Sequence, residues 1–370
     1  MNKSITPPNT YLPDHVSPPG GTLEDVLEER GMSQAELAER TGLSKKTVNL
    51  IIKGKAPLTQ ESALLFEKAL GIPAGFWINR EKDYREFLAR AEARQRQTAF
   101  AEWARSFPYA AMVNVGWLAP ATALTEKIDR LLTFFAVANP DGWSELYARP
   151  QAAFRRSAKF GNKTEVISAW LRQGEVQAEK VRTRPYSPEA FHKAVAEIRK
   201  LCAMENPNEF VPRMQQLCAD AGVLFLLVPE LPSMGVSGVT RWLGERPLIQ
   251  QCLRFKTNDH FWFTFFHEAR HVLQNRRRHV FIEAPGLPEE DVAHEEDANR
   301  YAAETLIPAK EYADIIGKGP GTPEIRAFAR RIGVHPGIVV GRLQRDKVLA
   351  YGHPAGNLKI KFEWATPGEL

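Results

Sequence analysis

Apolar residues recur at helical spacing between about Thr22 and Ile78, and the segments that carry them are short. Each segment stops near a glycine, and these glycines are Gly31, Gly42, Gly54 and Gly71. Glycine adopts the left-handed backbone at a helix end without steric cost, so the pattern predicts a compact all-α domain over residues 22–80. The preceding residues, 1–21, are rich in Pro and Gly, which predicts a disordered arm.

The pattern stays helical over residues 81–215 and then changes. The first part of this stretch carries many charges of both signs, which predicts a solvated helical connector. Three short runs of branched and aromatic residues then predict the strands of a small sheet: VLFLLVP, VSGVTRWL and PLIQQCLR. Two helices around His267 and Glu295 follow, then two short helices joined at Gly333. We therefore expect a multidomain chain in which residues 216–370 form an α+β domain.

Composition and charge bear on the number of domains, the partners and the cellular compartment of the protein. The chain of 370 residues is long enough for two or three domains, and its net charge of +5 is compatible with a polyanionic partner. No apolar run approaches the roughly 20 residues that a membrane span needs, so no membrane partner is expected. Cys202, Cys218 and Cys252 are odd in number and lack a CxxC spacing, which predicts buried thiols in a reducing cytoplasm.

The segment SQAELAERTGLSKKTVNLIIKGK has the layout of two short helices around a tight turn. Ser33 can cap the first helix, and Glu36 three residues on would complete a capping box. Ala38 is small, as a close helix crossing requires, and Gly42 falls where the turn needs a positive φ. Lysines and an amide on the outward face of the second helix suit the DNA major groove, which predicts a helix-turn-helix DNA reader.

The predicted DNA contacts lie on the outward side of this reader. Gln34 begins the first helix, where a helix N-terminus commonly meets a phosphate. The other candidates belong to the second helix and its ends: Ser44, Lys45, Lys46, Thr47, Asn49 and Lys53. Such readers usually bind inverted half-sites, so we expect a homodimer on a palindromic double-stranded DNA operator. The alternative is a plain helical hairpin with a solvated lysine face.

The segment HFWFTFFHEARHVLQN is apolar nearly all round, which predicts a buried helix. Unpaired polar groups on such a helix would cost several kcal/mol, so its histidines and glutamate need partners. His267 and His271 are four residues apart and share one face, where they can bind one metal ion together. Glu268 can reach a water molecule at that ion without being a ligand. The spacing predicts a mononuclear Zn²⁺ site of the metallopeptidase kind, with Glu268 as the base.

A catalytic zinc site also needs a third protein ligand, and the candidates lie on the next predicted helix. Glu295 opens a stripe of small and apolar residues, which favours an inward position for it. Asn299, one turn on, can hydrogen-bond a ligand histidine. His294 lies on a neighbouring stripe and stays an alternative ligand. Glu296 and Asp297 fall on faces that are more typical of solvent exposure.

Three further segments bear on the chemistry. PLIQQCLR lies just before the histidine helix, and we expect it to be the sheet edge that pairs with an extended peptide. An oxyanion donor would also be needed; His260, His279 and Tyr301 are candidates, each more typical of a structural role. GVHPGIVVGRLQ has the form of another helical turn but lacks a basic face, which indicates packing rather than a second DNA reader.

Roughly the first 80 residues resemble the Cro/C1-type (XRE) repressors and, through GIPAGFWINRE, the HigA antitoxin group. This resemblance implies DNA binding. It also raises the prospect of a cognate toxin as partner, since the HigA group consists of antitoxins.

Residues 222–349 resemble the ImmA/IrrE family of zinc metallopeptidase-like proteins. The segments that carry this resemblance are FTFFHEARHVLQ, Glu295–Ala303 and Leu306–Pro308. It implies a zincin-like α+β domain that binds Zn²⁺, with Glu268 as the base. The ligands it implies are His267, His271 and Glu295. Ala269 and Arg270 depart from the family, which more often has an apolar residue and glycine there. Arg270 can pair with an acidic neighbour, contact the substrate or narrow the site.

Two functions agree with these patterns. In the first, a DNA-binding transcriptional regulator carries a zinc-dependent peptidase domain that cleaves a regulatory protein. In the alternative, the chain is a HigA-like antitoxin and autorepressor whose zincin-like domain only binds a toxin or another ligand.

Overall fold

The computed structural model describes residues 16–148, 164–274, 289–316 and 320–364. The chain divides into two compact units, Met1–Ala99 and Phe100–Leu370. Each unit has a hydrophobic core of its own, and the two are described separately below.

The first unit is helical over its described residues. Its helices are α1 (Pro19–Glu29), α2 (Gln34–Thr41), α3 (Lys45–Ile52), α4 (Gln60–Leu70) and α5 (Ala74–Gln97). The four glycines predicted to end helices all have a left-handed backbone, with φ between 61° and 72°. The all-α prediction for this part of the chain is confirmed, and the core is built from residues that include Leu37, Val48, Phe66 and Trp77.

The predicted boundary between arm and domain needs correction, because α1 begins at Pro19 rather than after residue 21. Helices α1 and α3 approach so closely at Gly20 that a Cβ atom there would lie 2.2 Å from the carbonyl oxygen of Ile52. Arg80 of α5 also donates hydrogen bonds to the hydroxyls of Ser17 and Thr22, at 2.8 and 2.9 Å. The residues before 22 thus take part in the fold from Ser17 onward, and 1–15 lie outside the described residues.

The second unit combines many helices with three strands. Its helices are α6 (Ala101–Ser106), α7 (Tyr109–Asn114), α8 (Leu124–Phe135), α9 (Pro140–Trp143), α10 (Thr164–Ala178), α11 (Pro188–Lys200), α12 (Pro207–Asp220), α13 (Asn258–Leu273), α14 (Glu289–Leu306), α15 (Ala309–Ile316), α16 (Thr322–Ile332) and α17 (Pro336–Arg345). Its strands are β1 (Leu224–Leu227), β2 (Gly238–Leu243) and β3 (Arg246–Gln251). The break between α16 and α17 falls at Gly333, with a φ of 67°, as predicted.

The three strands form one small sheet, as the sequence predicts, in the order β1–β3–β2. Strand β3 runs parallel to β1, with Leu248 opposite Leu224, and antiparallel to β2, with Gln251 opposite Gly238. The prediction that PLIQQCLR forms the sheet edge is therefore wrong, because β3 is hydrogen-bonded on both sides. Among the described strands, β2 is the edge strand that packs against α13.

The predicted helical connector, 81–215, is not a separate body. Its first residues extend α5 of the first unit, and the rest belong to the second unit. The physical reason is a shared core: the ring of Phe210 on α12 lies 4.9 Å from that of Trp262 on α13. Phe191 of α11 is fully buried in the same cluster. A domain boundary at residue 216 would cut through this core.

The three cysteines are buried and free, as predicted. Burial raises the pKa of the Cys252 thiol to about 12, so this thiol stays protonated and unreactive near neutral pH. In the described part of the chain, no helix is both long and apolar enough to cross a membrane.

Candidate functional site

The two helices of the predicted DNA reader are capped by the serines that the sequence indicates. The Ser33 hydroxyl accepts a hydrogen bond from the Glu36 amide at 3.1 Å, and the Ser44 hydroxyl accepts one from the Thr47 amide at 3.0 Å. The capping box is only half formed, because the Glu36 carboxylate pairs instead with Arg40, one turn later, at 2.7 Å. Each cap satisfies an amide that a helix start leaves without a partner.

The predicted DNA contacts lie on and beside α3. The exposed members of the set are Ser44, Lys45, Lys46 and Lys53, and the half-buried members are Gln34, Thr47 and Asn49. The Asn49 amide donates to the side-chain oxygen of Gln34 at 3.1 Å, which joins the start of α2 to the middle of α3. The amides therefore lie side by side, with lysines at both ends of α3.

A buried cluster of possible metal ligands lies between α13 and α14. The Nε2 atoms of His267 and His271 are 3.1 Å apart. Each lies 3.2 Å from one carboxylate oxygen of Glu295. All three side chains are buried, and among the described residues they form the one group of three or more ligand-type side chains close enough to share an ion.

The arrangement of these atoms fits a zinc ion. A tetrahedral ion with bonds of about 2.1 Å needs ligand atoms about 3.4 Å apart, close to the separations observed here. Two imidazoles and one carboxylate are also a donor set that zinc peptidases use. Burial alone would raise the pKa of Glu295, but hydrogen bonds and charge interactions with His267 and His271 outweigh it and lower the pKa to about 2. Glu295 is therefore an anion that can bind a divalent cation.

Glu268 follows the first histidine and is held by strand β2. The Thr240 hydroxyl lies 2.7 Å from a carboxylate oxygen of Glu268 and can donate to it. Gly238 makes room for this carboxylate, since a Cβ atom there would lie 2.7 Å from its other oxygen. Burial raises the pKa of Glu268 to about 7, against the lowering influence of His267 and His271. A carboxylate with such a pKa can take up and release a proton near neutral pH.

His271 is oriented by Gln274, which the sequence reasoning missed. The two side chains meet at 3.0 Å, Nδ1 to Oε1, so the Nδ1 proton is donated to the amide oxygen and Nε2 is left to face Glu295. The Gln274 amide in turn donates to Asp297 at 3.0 Å. Asn299, predicted for this supporting role, instead accepts a long hydrogen bond of 3.5 Å from Arg345, because it faces the end of α17.

Arg270, the departure from the family pattern, pairs with an acidic neighbour. Its Nε donates to the carboxylate of Asp297 at 2.7 Å, and its guanidinium lies 5.2 Å from the centre of the Tyr301 ring. Asp297 thus holds both Arg270 and Gln274; it is half-buried, and its side chain is more exposed than that of Glu295, as predicted. Burial would raise the pKa of Asp297, but the hydrogen bonds from Arg270 and Gln274 lower it.

The other candidates occupy different positions. His294 is half-buried, and its backbone oxygen accepts a hydrogen bond from a side-chain amide at 3.3 Å, whereas Glu296 is exposed. Of the possible oxyanion donors, His260 lines the cleft described next, Tyr301 packs against an arginine, and His279 lies outside the described residues.

A cleft of about 380 Å³ opens beside the buried cluster. His267 and Glu268 form part of its wall, so the cleft gives access to both the ligand cluster and the carboxylate. The cations and aromatic residues along the rest of the wall include Arg254, Phe255, His260, Phe263, Arg345 and Tyr351. Its volume is in the range of small-molecule and cofactor sites.

The comparison with protein families bears on the first unit. Residues 23–77 match the helix-turn-helix family model HTH_3. The first unit thus contains an HTH_3 domain of the XRE type. Among curated proteins, none matches the chain.

The HTH_3 domain decides between the two interpretations of the lysine-bearing helices. It supports binding to double-stranded DNA and a role in transcription regulation, so the plain helical hairpin is set aside. Both capped helices, α2 and α3, lie inside the matched range, and so do all seven predicted DNA contacts. The match does not extend to the second unit.

Proposed function

We propose that this protein is a transcriptional regulator whose second unit is a zinc-dependent peptidase with a zincin-like fold, similar to the ImmA/IrrE family. The observation that carries the proposal is the buried convergence of His267, His271 and Glu295 beside Glu268, where His267 and Glu268 also line a cleft. Burying polar groups costs free energy unless they have partners, and a shared metal ion would be such a partner for these three side chains.

The ligands would be His267, His271 and Glu295. When bound there, zinc would supply Lewis acidity and lower the pKa of water from about 16 to about 7. Glu268 has a carboxylate oxygen fixed by Thr240, and it accepts the proton that water gives up as it attacks the peptide carbonyl. It then delivers that proton to the leaving amine, so the same carboxylate acts first as general base and then as general acid.

The two units serve one regulatory purpose in this proposal. The HTH_3 domain directs the chain to an operator, and the peptidase unit removes a regulatory protein, either another repressor or a copy of this chain. Domains of this kind usually bind as dimers, and we include a homodimer in the proposal on that ground.

Cleavage by the Glu268→Gln variant tests the proposal. The full chain, loaded with zinc, is incubated with a peptide library derived from a bacterial proteome, and new peptide termini are counted by mass spectrometry. We expect wild type to release new termini and Glu268→Gln to be about 10²–10⁴-fold slower, because removing general base catalysis has that effect. Glu296→Gln, on the exposed face of α14, is the matched control and should cleave like wild type.

Two results would contradict the peptidase. Equal cleavage by wild type and Glu268→Gln would trace the activity to another source. Zinc-loaded wild type that releases no termini would leave the second unit as a binding domain only, which is the HigA-like autorepressor interpretation.

A further inference from the structure

Two arginines on the cleft wall lie over aromatic rings and form no salt bridge among the described residues. The guanidinium of Arg345, the last residue of α17, lies 4.3 Å from the centre of the Phe263 ring. That of Arg254 lies 4.8 Å from the centre of the Phe255 ring. Each charge is thus held in place by stacking rather than by neutralisation.

The remaining cations of the wall differ from these two, because each has its own carboxylate. Arg342 pairs with Asp346 at 2.6 Å, and Lys359 pairs with Asp259 at 2.7 Å. Both Arg345 and Arg254 are exposed to solvent, so their charges are available to a molecule that enters the cleft.

Both arginines line the same cleft as His267 and Glu268. The Phe263 ring that supports Arg345 is 6.2 Å, centre to centre, from the imidazole of His267. The Phe255 ring that supports Arg254 is stacked at 4.2 Å on His260. Burial lowers the pKa of His260; the Asp259 carboxylate raises it, and the charges of Lys359, Arg345 and Arg254 lower it.

Stacked guanidiniums are well suited to carboxylates. A ring covers the flat face of an arginine and leaves its edge, with donors in a fixed fork, for a two-point hydrogen bond to a carboxylate. The described hydrogen bonds use little of this capacity: Arg345 has its long bond to Asn299, and Arg254 donates to the carbonyl oxygen of Gly235.

We propose that the cleft binds an extended acidic peptide, with Arg345 and Arg254 each binding the carboxylate of a separate Asp or Glu side chain. Two separately held guanidiniums favour side-chain carboxylates, because a peptide C-terminus offers only one. That the bound peptide is also cut rests on the proposed peptidase function, whereas the preference for acidic peptides does not.

Binding is measured by fluorescence polarisation with the full-length Glu268→Gln protein, so that no peptide is consumed. The probes are fluorescein-labelled short peptides with two glutamates around a central leucine, the same peptide with glutamines, and the same with lysines. Each is made with a free and with an amidated C-terminus. Arg345→Gln and Arg254→Gln are then introduced singly, and Arg213→Gln on exposed α12 surface is the matched control.

We expect the glutamate peptide to bind about tenfold or more tightly than the glutamine peptide, and the lysine peptide to bind least. Arg345→Gln or Arg254→Gln should remove most of this preference, and Arg213→Gln should leave it intact. Equal binding of the glutamate and glutamine peptides, or no binding of the glutamate peptide, would overturn the proposal. So would a preference that depends on the free C-terminus instead of the glutamates. If wild type binds the acidic peptide but does not cleave it, the proposed peptidase function fails while the preference for acidic peptides stands.

Discussion

The two functional regions of this molecule are built in opposite ways. The predicted DNA contacts of the HTH_3 domain lie within 20 consecutive residues, Gln34–Lys53, and the charged ones are exposed. The candidate metal site is buried and draws on three elements, β2, α13 and α14. The residues of an exposed site on one short helix pair are placed by local backbone geometry. The residues of a buried site are placed by the packing of elements that are distant in the sequence.

The largest expected difference between the regions concerns the buried carboxylate. Glu268 has a pKa raised from 4.5 to about 7, so the folded state holds its proton while the unfolded state releases it. The resulting loss in the free energy of unfolding is absent below about pH 4.5 and grows as pH rises through 7, to at most about 3 kcal/mol. In metal-free protein, Glu268→Gln should therefore gain stability over wild type as pH rises from 4.5 to 8.

Urea unfolding of chelator-treated protein, followed by tryptophan fluorescence, checks this expectation. Glu36→Gln in the HTH_3 domain provides the exposed control, since the Glu36 side chain is 43% exposed to water. A stability difference between Glu268→Gln and wild type that stays constant over this pH range would contradict the raised pKa of Glu268.

The same contrast explains what the sequence could and could not predict. Ser33, Ser44 and Gly42 act through residues two or three positions away, so capping rules locate them. His267 and His271 share a helix face by spacing alone, and the apolar stripe through Glu295 favoured it as their partner. No spacing rule connects residue 240 or residue 238 with Glu268, because strand and helix meet only in the folded core.

Two errors have the same origin. Asn299 and Gln274 are both amides one turn from a ligand, and the sequence offers no way to tell which one faces the histidine. The edge of the sheet was likewise assigned to PLIQQCLR by its position before α13, but strand order is set by long-range pairing.

The next prediction concerns the orientation of His271. Gln274→Ala removes the acceptor at its Nδ1 and should weaken zinc binding by about 10- to 100-fold, as loss of such supporting bonds does elsewhere. Competition with a zinc-binding dye gives the affinity, and Gln215→Ala, exposed on α12, is the control. Unchanged affinity in Gln274→Ala would mean that the ligand histidines are held in place without this bond.

The smallest effect belongs to the exposed region. Lys46→Ala should weaken binding to operator and unrelated DNA alike, and reduce the slope of log affinity against log salt by about 0.9, because one phosphate contact is lost. Fluorescence anisotropy at several salt concentrations measures this, with Lys82→Ala on α5 as the control. If the salt slope of Lys46→Ala equals that of wild type, Lys46 does not contact a DNA phosphate.

The most direct test of the central claim is the zinc content of the purified full chain, measured by plasma mass spectrometry after zinc loading and desalting. The account predicts one zinc per chain in wild type and in the neighbouring control Glu296→Ala, and loss of zinc in Glu295→Ala. Wild type without zinc, or Glu295→Ala with as much zinc as wild type, would contradict it.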